Sequence, residues 1–265
     1  MAITQVGTSV LAADRSTVST ASRDTTGATL LVVVVWESAI GTGVLSDNKS
    51  NTYETDGPDI GTLAPGCQIY YCKNPTVGSG HTWTLTGTDF FGGLAVSAWS
   101  GTNTTAPLDQ QNENSGAAFV NTCSPGSITP TTNDQLVVAG IGWNNAATMT
   151  SVTGMTILDQ VDLVGGTHYG GGHAFVVQTT ATAIDPAWNY SATIAACLVQ
   201  ASFKAAAGSP SLSPSASLSP SASASPSSSV SASPSASSAG VSWLPASDCA
   251  QGLNPLRYLR GGMVP

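Results

Sequence analysis

The stretch ATLLVVVVWES, residues 28–38, limits the fold more than any other part of the chain. Its apolar run from Leu30 to Trp36 has the length of a strand, and its valines suit a pleated surface better than a helix. Successive side chains of a strand point to opposite faces. A run that is apolar at every position is therefore a central strand covered on both sides. A second run of this kind, DQLVVAGIGW, occupies residues 134–143.

Around these two runs stand shorter β-branched and aromatic segments: ITQVGTSVL, NTYET, CQIYYCK, HTWTLTG, GGLAVSAWS, GMTILDQV, HAFVVQTT, PAWNYS and IAACLVQASF. Gly, Pro, Asn and Asp separate them, and helix signals are nearly missing from residues 1–207. The expected fold is all-β, an antiparallel β-sandwich of jelly-roll-like form over residues 1–207. The segments also echo one another. Trp36 to Trp83 is 47 residues and Trp143 to Trp188 is 45, with Tyr70 and Phe175 at nearly matching offsets. This predicts two quasi-repeated halves of four strands each. They are read as halves of one sandwich, because no linker divides them and each alone has few strands.

Beyond the sandwich the composition changes abruptly. Residues 208–240 form a Ser/Pro/Ala-rich tract with no charged residue, too poor in apolar side chains to offset its ordering entropy. Its prolines favour an extended, stalk-like chain. Residues 241–265 follow as a short apolar tail too small to build a core. Trp243, Leu244, Leu253, Leu256, Tyr258 and Leu259 make that tail a candidate docking peptide, with Arg257 and Arg260 beside them.

Charged residues are only 8% of the chain, against about 25% in a typical domain. The net charge is −8, and every acid except Asp248 precedes the tract. Such a body repels phosphate backbones, so a nucleic-acid partner is not expected. No apolar run approaches the length of a membrane span, so membrane insertion is not expected either. The first sixteen residues lack the basic start and apolar core of a signal peptide, and export by that route is not expected.

The five cysteines, at 67, 72, 123, 197 and 249, include no C-x-x-C pair. Cys67 and Cys72 have an odd separation within one strand and face opposite ways. Burial as small apolar groups is the leading reading, with a disulfide through Cys123 or Cys197 as the alternative.

Few residues carry chemistry. His168, Tyr169 and His173 lie in the glycine-rich GGTHYGGGH, a possible ligand loop. A metal there would need a third ligand, for which Asp159 and Asp162 are nearest, and the spacing fits no zinc pattern. In LSDNKSNTYET, Asp47, Asn48, Asn51 and Asp56 offer oxygens to calcium, although these residue types are also plain turn formers. Neither a strand of paired carboxylates nor a G-x-S-x-G elbow is present. The chain is therefore expected to be no enzyme and to need no cofactor. Trp36, Trp83, Trp99, Trp143 and Trp188 read as core.

The runs LLVVVVW, LSDNKSNTY, GLAVSAWSG, APLDQ, DQLVVAGIGW and LVQASFK together resemble the jelly-roll or immunoglobulin-like β-sandwich domains of tailed-bacteriophage structural proteins. The likeness covers roughly residues 1–205, and the SPSAS tract is similar to stalks of phage fibre and decoration proteins. The resemblance implies a non-enzymatic virion surface protein, a capsid decoration or fibre component, with an extracellular location as the alternative. The tail residues and the stalk add the expectation of docking on capsid or tail subunits through the tail peptide, and of a homo-oligomer, a trimer, whose stalks bundle. The rival expectation is a carbohydrate-binding adhesion module.

Overall fold

The computed structural model describes residues 1–38, 41–55, 65–87 and 91–207, with the backbone alone over 115–119. Among the described residues there is no helix. The first half contains β1 (Thr4–Gln5), β2 (Val10–Ala13), β3 (Val18–Ser19), β4 (Leu30–Glu37), β5 (Val44–Asp47), β6 (Glu54–Thr55), β7 (Gly66–Lys73), β8 (Trp83–Thr86) and β9 (Gly93–Ser100). The second contains β10 (Leu108–Cys123), β11 (Gln135–Asn144), β12 (Met149–Val152), β13 (Thr156–Val161), β14 (Gly170–Gln178) and β15 (Trp188–Phe203). Every ladder between them is antiparallel.

The expected all-β sandwich is present. The run Leu30–Trp36 becomes β4, the centre of a sheet ordered β1-β9-β4-β7-β6, with β2 also on β9. Its even-numbered side chains, Leu30, Val32, Val34 and Trp36, join Cys67 and Ile69 in a core shared with Leu136, Val138, Val199 and Phe203 of the second half. Its odd-numbered side chains, Leu31, Val33 and Val35, pack the other way onto Trp83 and Leu85 of the small sheet β3-β8-β5. This two-sided burial is why the run is apolar at every position.

The second half repeats the scheme with fewer, longer strands. Its main sheet is ordered β10-β15-β11-β14-β13. The start of β15 pairs with β12 and with the end of β10, forming an outer layer that covers Ala139, Ile141 and Trp143. Thus β10 does the work of β2 and β3, and β15 the work of β8 and β9. The halves meet through their main sheets, and the five tryptophans expected in the core are all buried, Trp36 and Trp99 in the shared core and the other three in the outer ones.

Several expectations need correction. Each half has more than four strand segments. ITQVGTSVL is not one strand: β1 and β2 both lie on β9 but are separated at Gly7, whose φ of 63° bends the chain. The Arg23 guanidinium fills that interruption, donating to the Val96 carbonyl at 3.3 Å and to the Val6 carbonyl. PAWNYS and IAACLVQASF form one strand, β15. The polar strand β10 was not expected at all. It lies at a sheet edge, where only one side pairs, so its Gln111, Asn112 and Glu113 fit without an apolar signature.

The repeat is also one position out. Leu30 pairs with Trp99 and Val32 with Tyr71; Leu136 pairs with Phe203 and Val138 with Phe175. Counting from these pairs, Trp36 corresponds to Gly142, not Trp143, and Tyr71 rather than Tyr70 corresponds to Phe175. A shift of one residue reverses the face of a strand side chain. Trp36 therefore points into the seam between halves, while Trp143 points outward onto Tyr190, ring centroids 5.2 Å apart. The expected equivalence of Trp83 and Trp188 holds, since each lies in the outer layer of its half. Cys67 and Cys72 fall in different cores, as their odd separation predicts.

Candidate functional site

The main sheets have two ends, and the chain treats them differently. At one end stand Trp36, Asn144 and the connection from β13 to β14. Trp36 fits there because Gly142 and Gly171 carry no side chain: a Cβ on Gly171 would lie 2.1 Å from the Trp36 ring. The indole Nε1 of Trp36 donates to the Tyr169 carbonyl at 3.3 Å.

The β13–β14 connection closes on itself. Val164 and His168 exchange backbone hydrogen bonds of 3.1 and 3.0 Å, and Gly166 at the tip has a φ of 76°. Tyr169 N donates to the Phe91 carbonyl at 2.9 Å, and Phe91 N to the Arg15 carbonyl at 3.1 Å. Phe91 is held at a φ of 50°, a left-handed conformation that costs a bulky residue free energy and persists only where its surroundings impose it. Its ring lies edge-on to Tyr169 at 6.3 Å and beneath the Arg15 guanidinium at 5.0 Å. Phe91, Asn144, Leu163, Val164, His168 and Tyr169 enclose an open pocket of about 280 Å³. Val164 is 49% exposed at its mouth.

His168 Nδ1 lies 3.0 Å from the Tyr169 carbonyl, which can only accept. Nδ1 therefore carries the proton, and in the neutral ring Nε2 is left as an acceptor. Two of the three residues expected in a ligand loop, His168 and Tyr169, thus line this pocket.

His173 does not. It belongs to β14, points into the seam between halves and is fully buried. Its Nε2 is 3.3 Å from Ser97 Oγ, which also accepts from Trp99 Nε1 at 2.8 Å. Burial in this apolar seam pushes its pKa down to about 3, with the Arg23 charge acting in the same direction. Asp159, its ladder partner on β13, is half-buried with its Oδ2 shielded from solvent, while Asp162 accepts from Thr148 Oγ1 at 3.1 Å. Among the described residues no cluster of three or more His, Cys, Asp or Glu is placed to hold a metal ion.

Asp47 and Asn51 come together, but as donor and acceptor. Asn51 turns its amide NH₂ to Asp47 Oδ2 at 2.8 Å and its oxygen to Thr76 N at 2.7 Å. Asp47 also accepts from Lys49 N, Asn51 N and Tyr53 OH, and His81 Nε2 stands 3.1 Å from Oδ2. These donors fill the positions a calcium ion would need. Asn48 is likewise engaged, with the Gly80 carbonyl and Thr82 N. Asp56 lies outside the described residues, as do Trp243, Leu244, Leu253, Leu256, Tyr258 and Leu259 of the tail.

One arrangement escaped sequence reasoning. His81 Nδ1 is 3.0 Å from Thr25 Oγ1, so Thr25, His81 and Asp47 stand in the order hydroxyl, imidazole, carboxylate. The set is sealed: all three side chains are buried, and the Thr25 hydroxyl is engaged by both N and O of Gly78. His81 stacks on Trp83 with centroids 4.0 Å apart, and Trp83 Nε1 donates to Tyr53 OH at 2.6 Å. Burial lowers the His81 pKa. For Asp47 burial acts upward, but the donors from Tyr53, Asn51 and His81 outweigh it and hold the carboxyl below its usual range. The set braces three loops against the outer sheet, and no reacting atom can reach it.

Comparison with known families, with curated proteins and with solved structures finds no match for this chain. The second end of the main sheets is built by the chain that follows Ser100 and Phe203. There Thr102 bridges to Ala205, and Ala206 N donates to the Gly101 carbonyl at 2.7 Å. Lys204 Nζ meets Asp109 Oδ1 at 3.2 Å, and Asp109 also accepts from Thr131 and Gln135. The strand β9 runs from Gly93 at the pocket end to Ser100 at this end, about 25 Å at the usual rise per residue. Residues 205–207, the last described, lie at the end opposite the pocket.

Proposed function

We propose that this chain is a non-enzymatic display protein of a virion, a capsid decoration or fibre component, with its sandwich held on a stalk. The observation that carries the reading is that the pocket lies at one end of the sandwich and residues 205–207, the last described before the Ser/Pro tract, at the other. A body tethered at one end presents the other outward. The tract, at ~3.1 Å per residue if fully extended, would give the body a reach of roughly 100 Å.

The strand orders support a jelly roll in each half, with β2-β9-β4-β7 over β3-β8-β5 repeated as β10-β15-β11-β14 over the outer ends of β10, β15 and β12. The tail, through Trp243, Leu244, Leu253, Leu256, Tyr258 and Leu259, docks on a capsid or tail subunit, and the assembled form is a trimer. Particles assembled with the full chain and with a chain ended after Gly208 test this. The full chain should co-sediment with particles and the shortened one should not. Equal incorporation of both would overturn the docking role.

The pocket favours a second reading alongside the first, adhesion to glycans. Many copies on one particle would turn a weak contact at each pocket into firm attachment.

A further inference from the structure

We propose that the pocket between Phe91 and the Leu163–Tyr169 connection is a subsite for one neutral pyranose unit of a glycan. The proposal rests on the adhesive reading above and names its ligand and the groups that hold it.

Size comes first. Pockets for drug-sized ligands begin at about 300 Å³. A pocket of about 280 Å³ takes a single ring, not an acyl chain or a helix.

The lining fits the two kinds of surface a sugar ring presents. Phe91, Leu163, Val164 and Tyr169 offer an apolar wall to the C–H face. His168 Nε2 offers an acceptor, the Asn144 amide a donor and an acceptor, and the Tyr169 hydroxyl both. His168 Nδ1 is already used on the Tyr169 carbonyl, and the three other groups have no partner among the described residues. Lining residues whose polar groups have no partner are what hydroxyl recognition requires, because each such group can exchange water for a ligand hydroxyl.

Charge selects a neutral ligand. Among the described residues no carboxylate or ammonium lines the pocket. The nearby cation, Arg15, lies over the Phe91 ring. Fourteen of the fifteen acids but only five of the seven basic residues precede the tract, so the body as a whole repels anions. A phosphate, a uronic acid or a sialic acid would meet that field with no counter-charge in the pocket.

The pocket is also preformed. Phe91 keeps its unfavourable φ because its N–H and carbonyl are bonded to Arg15 and Tyr169 on separate elements. Little ordering remains to be done on binding, which is how a small site retains useful affinity.

The test uses the full chain labelled with ¹⁵N. Methyl α-mannoside, methyl α-glucoside, methyl β-galactoside and N-acetylglucosamine are titrated up to about 20 mM, a range that captures millimolar affinities. N-acetylneuraminic acid is the charged comparison. The Trp36 indole N–H is the local reporter, since it donates to the Tyr169 carbonyl behind the pocket wall. At least one neutral glycoside should shift this resonance with millimolar affinity, and Phe91→Ala should weaken it at least tenfold. Because Phe91 also packs the body, Val164→Asp at the exposed mouth is the second variant, expected to cost tenfold while the remaining spectrum stays folded. Absence of binding by every neutral glycoside, preference for the charged sugar, or unchanged affinity in Val164→Asp would each overturn the proposal. None of these results bears on incorporation into particles, so this failure and that of the docking role are told apart.

Discussion

Trp36 and Gly142 hold the same ladder position in the two halves, one opposite Gly93 on β9 and the other opposite Cys197 on β15. The first half fills the seam with bulk: Val34 and Trp36. The second leaves room for it at Gly140, Gly142 and Gly171, where an added Cβ would fall 2.4, 2.8 and 2.1 Å from those side chains. The outer layers differ as well. Asp47 pairs with Trp83 in the first half, where Val152 pairs with Trp188 in the second. One half thus secures its outer sheet with a buried polar brace, the other with apolar packing. A shared strand order has been fitted with complementary faces, so neither half could replace the other across the seam.

The largest effect should come from breaking that complementarity. Trp36→Ala removes a fully buried indole and should cost about 4 kcal/mol, as large-to-small aromatic substitutions do. Gly171→Ala attacks the same contact from the other side and should cost about 3 kcal/mol by overpacking. Both are read from urea unfolding midpoints. In a Trp36→Leu background the Gly171→Ala penalty should shrink by at least 1 kcal/mol, the coupling expected of residues in contact. An undiminished penalty would mean that the glycine is required by its backbone, not by the ring.

The outer layers give the next contrast. Asp47→Ala leaves Tyr53, Asn51 and His81 facing a vanished acceptor and should cost about 3 kcal/mol. Val152→Ala, at the matching position, loses only buried methyl surface and should cost about 1.5 kcal/mol. Equal costs measured by thermal unfolding would show that the brace contributes no more than packing.

The two kinds of core also explain what the sequence could convey. The runs at Leu30 and Leu136, the five core tryptophans and the repeat were legible because burial on both faces leaves a pattern at every position. The correct register was not. Gly142-Trp143 and Trp36-Glu37 look alike as strand ends, and only the pairing with β9 and β15 shows which tryptophan enters the seam. The strand β10 was hidden because an edge needs little apolar surface. Half of the pocket was visible, as His168 and Tyr169 in a glycine-rich turn. Phe91 and Asn144 come from distant segments, and His173 was misplaced because alternation, not proximity in sequence, decides where it points. The polar brace left no local signal: Thr25, Asp47 and His81 meet only through the closure of three loops.

His173 carries the seam's response to acid. Its pKa in the folded chain is pushed down to about 3, whereas in the unfolded chain it is near 6.5. As pH falls below 6.5 the unfolded chain takes up the proton first, so folding stability is complete above that value and declines toward the folded pKa. From pH 6.5 to 4.5 this one ring should remove about 2–3 kcal/mol, at 1.36 kcal/mol per pH unit. His81, also lowered by burial, acts in the same sense, while half-buried Asp159 and buried Glu37, both raised by desolvation, act in the opposite one. The difference between the chain and His173→Gln isolates the ring: over this interval the variant's loss of stability on acidification should be smaller by that amount. Parallel curves would place the His173 proton somewhere other than the unfolded chain, in a seam that opens more easily than its burial suggests.

The smallest effect belongs to the pocket, and its smallness is the point. Tyr169 contributes to the body through its backbone: N donates to Phe91, and O accepts from Trp36 and His168. Its hydroxyl, in contrast, has no partner among the described residues. Tyr169→Phe keeps the ring, the edge contact with Phe91 and every backbone bond, and should change the unfolding free energy by less than about 0.5 kcal/mol, as surface substitutions usually do. The Trp36 indole resonance should stay where it is in the free protein. A cost above about 1 kcal/mol would assign the hydroxyl to the body's own hydrogen bonding, the role Tyr53 plays at the brace, and would leave the pocket one polar group short. A silent substitution would mark the contrast between the molecule's two kinds of tyrosine: Tyr53, whose hydroxyl is bonded to Asp47 and Trp83 within the fold, and Tyr169, whose half-buried ring lines the pocket with its hydroxyl left for a ligand.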